Sequence, residues 1–317
     1  MTRVLALIPG GLGDQLLFFP TLEHLQEEYP SAQIDVMVEP RAKASYRVCP
    51  VVNKVMTFDF IGRTGPADWG NLIGLGRDRE YDAAIYMGQG WQMGILLWLM
   101  GIPKRIAYDG SGGFFYTDTV PLKTKQYMAY QYHDLLHGMG ITSACPEIAI
   151  SIPSSDRQWA ESEQQRLGLS PEQGYVIVHG DIYPRLNPLD RYPIDGWQSI
   201  VLGLQERQPD LPIVLIDDPK VPDWSRTLMN KSTALKLSSP TGIGKLAALI
   251  DGAQMLICPE SAPMHLAVSL HTQVVALFGS RNPGQQLPDS DLAVGLKSNT
   301  GNISDISPIQ VLEKTKL

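Results

Sequence analysis

Three clusters of residues in this sequence have the types and spacing to do chemistry. The first, Pro9-Gly10-Gly11-Leu12-Gly13-Asp14, follows an apolar run and opens a helical stretch. Glycines there allow a tight turn and let a ligand approach the backbone closely. Asp14 stands at the helix start, where the peptide dipoles favour an ionised carboxylate. It is a candidate general base, and also a residue type that simply caps helices. The loop lacks Gly-x-Gly-x-x-Gly spacing, and Glu39 is the nearest acidic residue to hold a dinucleotide ribose. The second cluster is Cys258-Pro259-Glu260-Ser261-Ala262-Pro263-Met264-His265, where a strand ends and a helix begins with Pro263 near its first turn. Free N–H groups at such a start, around Ala262 and Met264, suit a phosphate. Glu260 could accept ribose hydroxyls, and His265 could reach a phosphate or sugar hydroxyl. The structural alternative makes Ser261 an N-cap and His265 a packed core histidine. The third cluster runs from His179 through Arg185 to Arg191-Tyr192-Pro193 and Trp197. Both arginines suit bidentate phosphate contacts, whereas Trp197 and Pro193 read as packing. Lys245 is a further candidate phosphate partner, without Walker spacing, and its alternative is a solvated surface lysine.

Other patterns point away from chemistry. Asp217-Asp218 and Asp289-Ser290-Asp291 are accounted for by turns, no Cys/His set has zinc spacing, and there is no Gly-x-Ser-x-Gly elbow. Tyr127, Tyr130, Tyr132 and His133 read as a packed helix, and Gly110-Ser111-Gly112-Gly113 as a flexible loop and candidate acceptor-side lid. The 317 residues are 44% hydrophobic and 19% charged, an ordinary globular composition. That length suits two domains at ~150 residues each. Lys and Arg total 26 against 33 Asp and Glu, so the net charge is −7. Nucleic-acid binding is disfavoured, and a local basic pocket for one phosphorylated ligand is not. Cys49, Cys145 and Cys258 lie far apart and read as reduced, buried thiols of a cytosolic protein. The apolar run Val4–Ile8 is too short for a signal-peptide core, and Met93–Ile102 is half a spanning helix, so a soluble chain is expected.

The elements that must position these clusters alternate. Strands are expected at Val4–Ile8, Ile34–Val38, Val55–Phe58 and Ala83–Met87, with helices at Asp14–Glu28, Ala42–Val48, Trp91–Met100 and Tyr127–Met139. Ile150–Ser155 reads as a linker. The same grammar then restarts: helix Asp156–Leu167, strand Tyr175–His179, helix Gly196–Gln208, strand Ile213–Ile216, and a helix closing over Leu246–Asp251. Strand Met255–Cys258, helix Pro263–Leu270 and strand Gln273–Phe278 follow, then loop-rich chain after Ser280 and a last helix over Ser307–Lys316. The pattern predicts an α/β protein of two doubly wound parallel-sheet domains, residues 1–152 and 153–317. Ligands of such sheets bind at the carboxyl ends of strands, which makes a cleft between facing domains the natural site.

Taken in order, these segments resemble glycosyltransferase family 9, the lipopolysaccharide heptosyltransferases. The opening loop with Pro20-Thr21-Leu22, the stretch Tyr132-His133 to Gly138-Met139-Gly140-Ile141, and Arg191-Tyr192-Pro193 with Trp197 all resemble family segments. Leu246–Ile250, Glu260–Ala267 and Val275–Gly279 resemble its signature most closely. The resemblance implies a GT-B fold of two Rossmann-like domains, the first binding the acceptor and the second a nucleotide-diphosphate sugar. It implies inversion at the anomeric carbon without a metal or other cofactor, and a cell-envelope glycolipid or other glycan as acceptor. By position Asp14 matches the family's base, with Gly10, Gly11 and Gly13 on the acceptor-side loop. Glu260, Ser261, Ala262, Met264 and His265 fall on the donor motif Asp-Ser/Thr-Gly-x-x-His, and Arg191 falls where a phosphate-binding lysine is common. Glutamate replaces the motif's aspartate and Ala262 its glycine, while Asp217-Asp218-Pro219 replaces a glycine-rich turn. The alternatives are a nucleotide-sugar epimerase or hydrolase of the same fold, or a binding scaffold that has lost catalysis. The expected setting is the cytosol. With a lipid-linked acceptor, the first domain would approach the inner membrane face through apolar residues near Trp91–Trp98, although burial of that run is the plainer expectation. The last helix is a candidate to pack back on the first domain.

Overall fold

A computed structural model describes residues 1–62, 65–170, 172–180, 189, 191–217, 223–231 and 235–315. The chain divides into two compact units, Met1–Ser151 and Ile152–Leu317.

The first unit is built from β1 (Arg3–Ile8), α1 (Leu12–Glu28), β2 (Gln33–Val38), β3 (Lys54–Thr57), α2 (Pro66–Arg79), β4 (Ala83–Tyr86), α3 (Trp91–Leu99), β5 (Lys104–Tyr108), β6 (Asp118–Val120) and α4 (Met128–His133). Its described strands form one parallel sheet in the order β3-β2-β1-β4-β5-β6. The central strand β1 is covered on both faces, which is why Val4–Ile8 reads as an unbroken apolar run with no exposed side chain, whereas the edge strands β3 and β6 are partly exposed. The sheet order reverses beside β1, so the loop after β1 opens at the topological switch point.

The second unit repeats the plan with α5 (Ser154–Leu167), β7 (Val176–Val178), α6 (Ile194–Arg207), β8 (Ile213–Ile216), α7 (Asp223–Lys231), β9 (Leu235–Ser238), α8 (Ile243–Asp251), β10 (Met255–Pro259), α9 (Ala262–Ser269), β11 (Gln273–Phe278), α10 (Pro283–Gln286), β12 (Ala293–Lys297) and α11 (Pro308–Lys314). Its order, β12-β11-β10-β7-β8-β9, is again the Rossmann order, with the switch between β10 and β7. Val178 pairs with Ile257, so the loops after these two strands leave the sheet side by side. The core gathers Val176, Trp197, Ile257, Trp224 and Leu277 around the sheet. The last helix, α11, packs on α6 of its own unit, with Leu312 against Gly203.

Several elements depart from the pattern read in the sequence. The stretch after Ser280 holds β12, a partly exposed strand, rather than loop alone. The elements read in the sequence do not include the strands β5, β6 and β9 or the helices α2 and α7; α7 is short but amphipathic, whereas α2 contains Gly70, Gly74 and Gly76, which weaken its helical signal. Gly76 earns its place by contact, since a Cβ there would lie 2.5 Å from the Met100 side chain. The helix expected at 42–48 is a 3-10 run over Pro40–Val48. The one expected at Tyr127–Met139 is α4 continued by 3-10 turns over Asp134–Met139 and stopped by Gly140 at φ +83°. Trp91 and Trp98 are not buried in the core: they are 48% and 57% exposed. Gly112, in the loop expected to be flexible, lies against the Trp91 backbone and leads into a 3-10 turn carrying Phe114 into solvent. Of the three thiols only Cys258 is fully buried; Cys49 and Cys145 are half-buried. No helix among the described residues is long and apolar enough to cross a membrane.

Candidate functional site

Asp14 is fixed from several directions within the first unit. It is the third residue of α1, and its Oδ2 accepts the Gly11 N–H at 2.7 Å. The other oxygen, Oδ1, accepts the Tyr132 hydroxyl of α4 at 3.0 Å. Gly10 has φ +114°, and a Cβ built there would lie 2.4 Å from Asp14 Oδ2. The loop therefore needs glycine at position 10 for both conformation and space. Behind it, the buried Gln15 amide donates to the Ile8 carbonyl at 3.0 Å and accepts the Tyr46 hydroxyl at 2.8 Å, which ties the start of α1 to the end of β1. Gly13 lies inside the first turn of α1. Asp14 is thus both a helix-start residue and a held, half-exposed carboxylate at a switch point.

Tyr132 was legible in the sequence only as a packing residue, because its partner lies 118 positions away. The helix that carries it is anchored by the next residue: His133 Nε2 lies 2.7 Å from His24 Nδ1 of α1, and His24 Nε2 lies 2.9 Å from the Ser143 hydroxyl. Burial first, and the His24 ring second, push His133 down to about 4, so His133 is neutral at pH 7.

The second unit brings Glu260, Ser261, Ala262, Met264 and His265 together at the end of β10 and the start of α9. Ser261 sits at the N-cap position but does not cap: its hydroxyl donates to the Pro259 carbonyl at 2.9 Å. Ser261 thus gives α9 no side-chain cap; Pro263 carries no N–H and the Met264 N–H donates to the Ser261 carbonyl at 3.1 Å, so an anion at this positive helix end would be met by the Ala262 N–H. His265 is buried, its Nδ1 has no hydrogen-bond partner among the described residues, and burial pushes it down to about 4. His179, which follows β7, is alike, with neither ring nitrogen partnered among the described residues and its pKa at about 3. The sequence reading passed His179 over as the end of a strand.

The remaining candidates are dispersed. Arg191 is exposed just before α6. Lys245 donates to the Thr241 hydroxyl at 3.1 Å and lies 5.0 Å over the Trp159 ring, contacts that tie α8 to α5. Glu260 pairs with Arg281 at 2.8 Å, a cation outside the expected set. Arg185, Asp218 and Pro219 lie outside the described residues, while Asp217 accepts the Ser225 hydroxyl at 2.6 Å. Among the described residues no group of three His, Cys, Asp or Glu is placed to hold a metal ion. The arrangement offers a positioned carboxylate in the first unit and, in the second, a helix start without a side-chain cap beside a buried imidazole.

Comparison with known proteins bears on the same segments. The family model for glycosyltransferase family 9 (heptosyltransferase) matches residues 75–315. A curated relative from Arabidopsis thaliana, the chloroplastic photosynthetic NDH subunit of subcomplex B 1, is 22% identical, over 96% of this chain and 71% of its own. The solved glycosyl transferase family 9 structure from Veillonella parvula DSM 2008 has a TM-score of 0.84 at 21% identity, covering 99% of this chain and 96% of that one. E. coli ADP-heptose lps heptosyltransferase II gives 0.77 at 19%, covering 99% and 97%. These structures share the fold of two Rossmann-like domains.

The two neighbouring glycines should respond differently to substitution. Gly10→Ala is expected to destabilise the protein by about 1–3 kcal/mol, since it strains the backbone and displaces the carboxylate. Gly11 has an extended backbone, and its Cβ would lie 3.9 Å from the same oxygen. Gly11→Ala should therefore cost less than about 1 kcal/mol, and denaturant melts of both variants check the contrast. The three buried histidines set a pH dependence. An unfolded histidine protonates near 6.5, whereas folded His133, His179 and His265 stay neutral until about 4, 3 and 4. Stability is then intact above pH 6.5 and falls as pH drops toward 4, by roughly 1.4 kcal/mol per pH unit for each histidine. His265→Gln should flatten that slope by one proton, as measured by denaturant midpoints between pH 7 and pH 4.5.

Proposed function

Because this chain belongs to glycosyltransferase family 9, we propose that it moves a sugar from a nucleoside-diphosphate donor to a hydroxyl of a cell-envelope glycolipid or other glycan, inverting the anomeric carbon without a metal. The observation that carries the mechanism is the Asp14 carboxylate, held at both oxygens and still half-exposed. Asp14 takes the proton of the acceptor hydroxyl as its oxygen attacks the anomeric carbon, opposite the leaving diphosphate. Negative charge grows on that diphosphate, and Arg191 with the Ala262 N–H at the positive end of α9 stabilises it. His265 stays neutral in this setting and offers a hydrogen bond rather than a charge. The name of the E. coli structural relative puts ADP first among the nucleotides to try. The Arabidopsis relative is named as a complex subunit, and binding without turnover would favour the alternative of a scaffold with this fold.

For the acceptor side we propose contact with a lipid surface. Phe114 is 92% exposed and Trp91 48%, and Gly112 brings their segments together. Exposed aromatic rings of this kind partition into a membrane interface.

Calorimetry and thermal shift with ADP, GDP, UDP and CDP test the donor site. One nucleotide at 100 times its dissociation constant should stabilise the chain by ~2.7 kcal/mol, and Arg191→Ala should lose that shift. No shift with any of the four overturns the reading. Asp14→Asn should reduce turnover by about 10²-fold or more at nearly unchanged donor affinity; near-normal turnover would remove Asp14 from the role of base. Phe114→Ser with Trp91→Ser should reduce sedimentation with anionic and zwitterionic vesicles several-fold and leave nucleotide binding intact, because the pair acts on lipid contact alone.

A further inference from the structure

Arg281 stands three residues past the end of β11, beside the donor motif. β10 and β11 run in parallel register, Pro259 opposite Leu277, and the Glu260 N–H donates to the Leu277 carbonyl at 3.0 Å. The two loops thus leave the sheet together. Arg281 Nη1 donates to Glu260 Oε1 at 2.8 Å. The glutamate side chain is only 13% exposed, whereas the arginine is 66% exposed. One corner of the planar guanidinium is therefore fixed by a nearly buried carboxylate, and most of its surface is left to solvent. A guanidinium has five N–H donors in a rigid fork suited to phosphate oxygens.

Two independent features stand next to this cation. The start of α9 is uncapped, because Ser261 turns its hydroxyl back to Pro259. Buried His265 on the same helix has no partner for Nδ1 among the described residues, and Arg281 is the charge that bears on its ring. Backbone N–H groups, an imidazole and a guanidinium are all anion ligands. The carboxylate of Glu260 would repel an anion, and Arg281 neutralises it.

We propose that Arg281, anchored by Glu260, binds the diphosphate of the nucleotide donor at the start of α9 and gives the site its preference for diphosphate over monophosphate. The proposal rests on the glycosyltransferase reading above. The longer glutamate is what makes the anchoring possible: its extra methylene carries the carboxylate out to the β11 loop. Loss of Arg281 then has two effects on a bound diphosphate, since it removes a charge-assisted contact and exposes the Glu260 charge. The side chain is largely exposed, so its replacement is expected to leave the fold in place.

The test is calorimetry of the full chain with ADP, GDP, UDP and CDP, each beside its monophosphate. The wild-type chain should prefer one diphosphate over its monophosphate by about tenfold or more, the usual size of one charged hydrogen bond. Arg281→Gln should lower diphosphate affinity by ~10- to 100-fold, move monophosphate affinity far less, and leave the melting temperature unchanged. Adding Glu260→Gln to Arg281→Gln should recover part of the diphosphate affinity, because the uncompensated carboxylate is gone. Unchanged diphosphate binding in Arg281→Gln, an equal loss for both phosphate lengths, or no recovery in the double variant each overturns the proposal while the transferase reading stands. Binding of none of the eight nucleotides by the wild-type chain overturns the transferase reading, and the role of Arg281 with it.

Discussion

The first unit is organised around one close approach: the Asp14 carboxylate against the backbone of Gly10. Any side chain at position 10 would occupy the volume of Oδ2. Because that oxygen can come so near, it accepts the Gly11 N–H and the carboxylate takes a single orientation. That orientation in turn gives the Tyr132 hydroxyl a target, and so gives α4 a fixed place against α1. The buried His24–His133 contact completes the docking. Loop, helix start and distant helix are thus one polar assembly, and they can be perturbed only together.

The parallel sheets explain why such assemblies form where they do. A crossover connection brings every strand up in the same direction, so all the loops that follow strands collect on one edge. At a reversal of strand order, adjacent loops turn to opposite faces and leave a crevice. Asp14 follows β1 at one reversal, while His179 and Glu260 follow β7 and β10 at the other. In both units the chemistry-bearing side chains lie one to six residues after a central, largely buried strand, with Asp14 and Glu260 partly covered and His179 and His265 buried.

This regularity decides what was legible in the sequence. Central strands such as β1 and β10 are buried on both faces and read as unbroken apolar runs, and the loops after them drew attention to Asp14 and Glu260. Edge strands have no such signature: β6 has three residues and β12 is half-exposed along most of its length. The glycines of α2 weaken its helical signal because what keeps Gly76 there is the Met100 side chain, a contact that no local pattern records. Tyr132 and Arg281 were missed for the same reason. Their partners lie 118 and 21 positions away, and only the fold makes them neighbours. Ser261 shows the converse. Its position marks a cap, but a competing carbonyl two residues back takes the hydroxyl.

Electrostatics constrain how this chain can hold an anionic donor. A net charge of −7 gives no long-range attraction to a diphosphate, so steering by the whole protein works against the encounter. In the proposed donor site, affinity comes from donors within hydrogen-bond reach: the start of α9, the neutral His265 imidazole, and the Arg281 guanidinium held by Glu260. Such contacts act over a few ångströms and are little screened by salt, whereas the repulsion of distant carboxylates is screened within a Debye length of about 8 Å at physiological ionic strength. Raising ionic strength therefore removes more of the opposing field than of the local attraction. An acidic chain built in this way selects its ligand by the geometry of a few donors and not by its overall potential. The place of Glu260 in the proposed anion site follows from the same reasoning, because a carboxylate paired to Arg281 orients that cation and the pair is neutral.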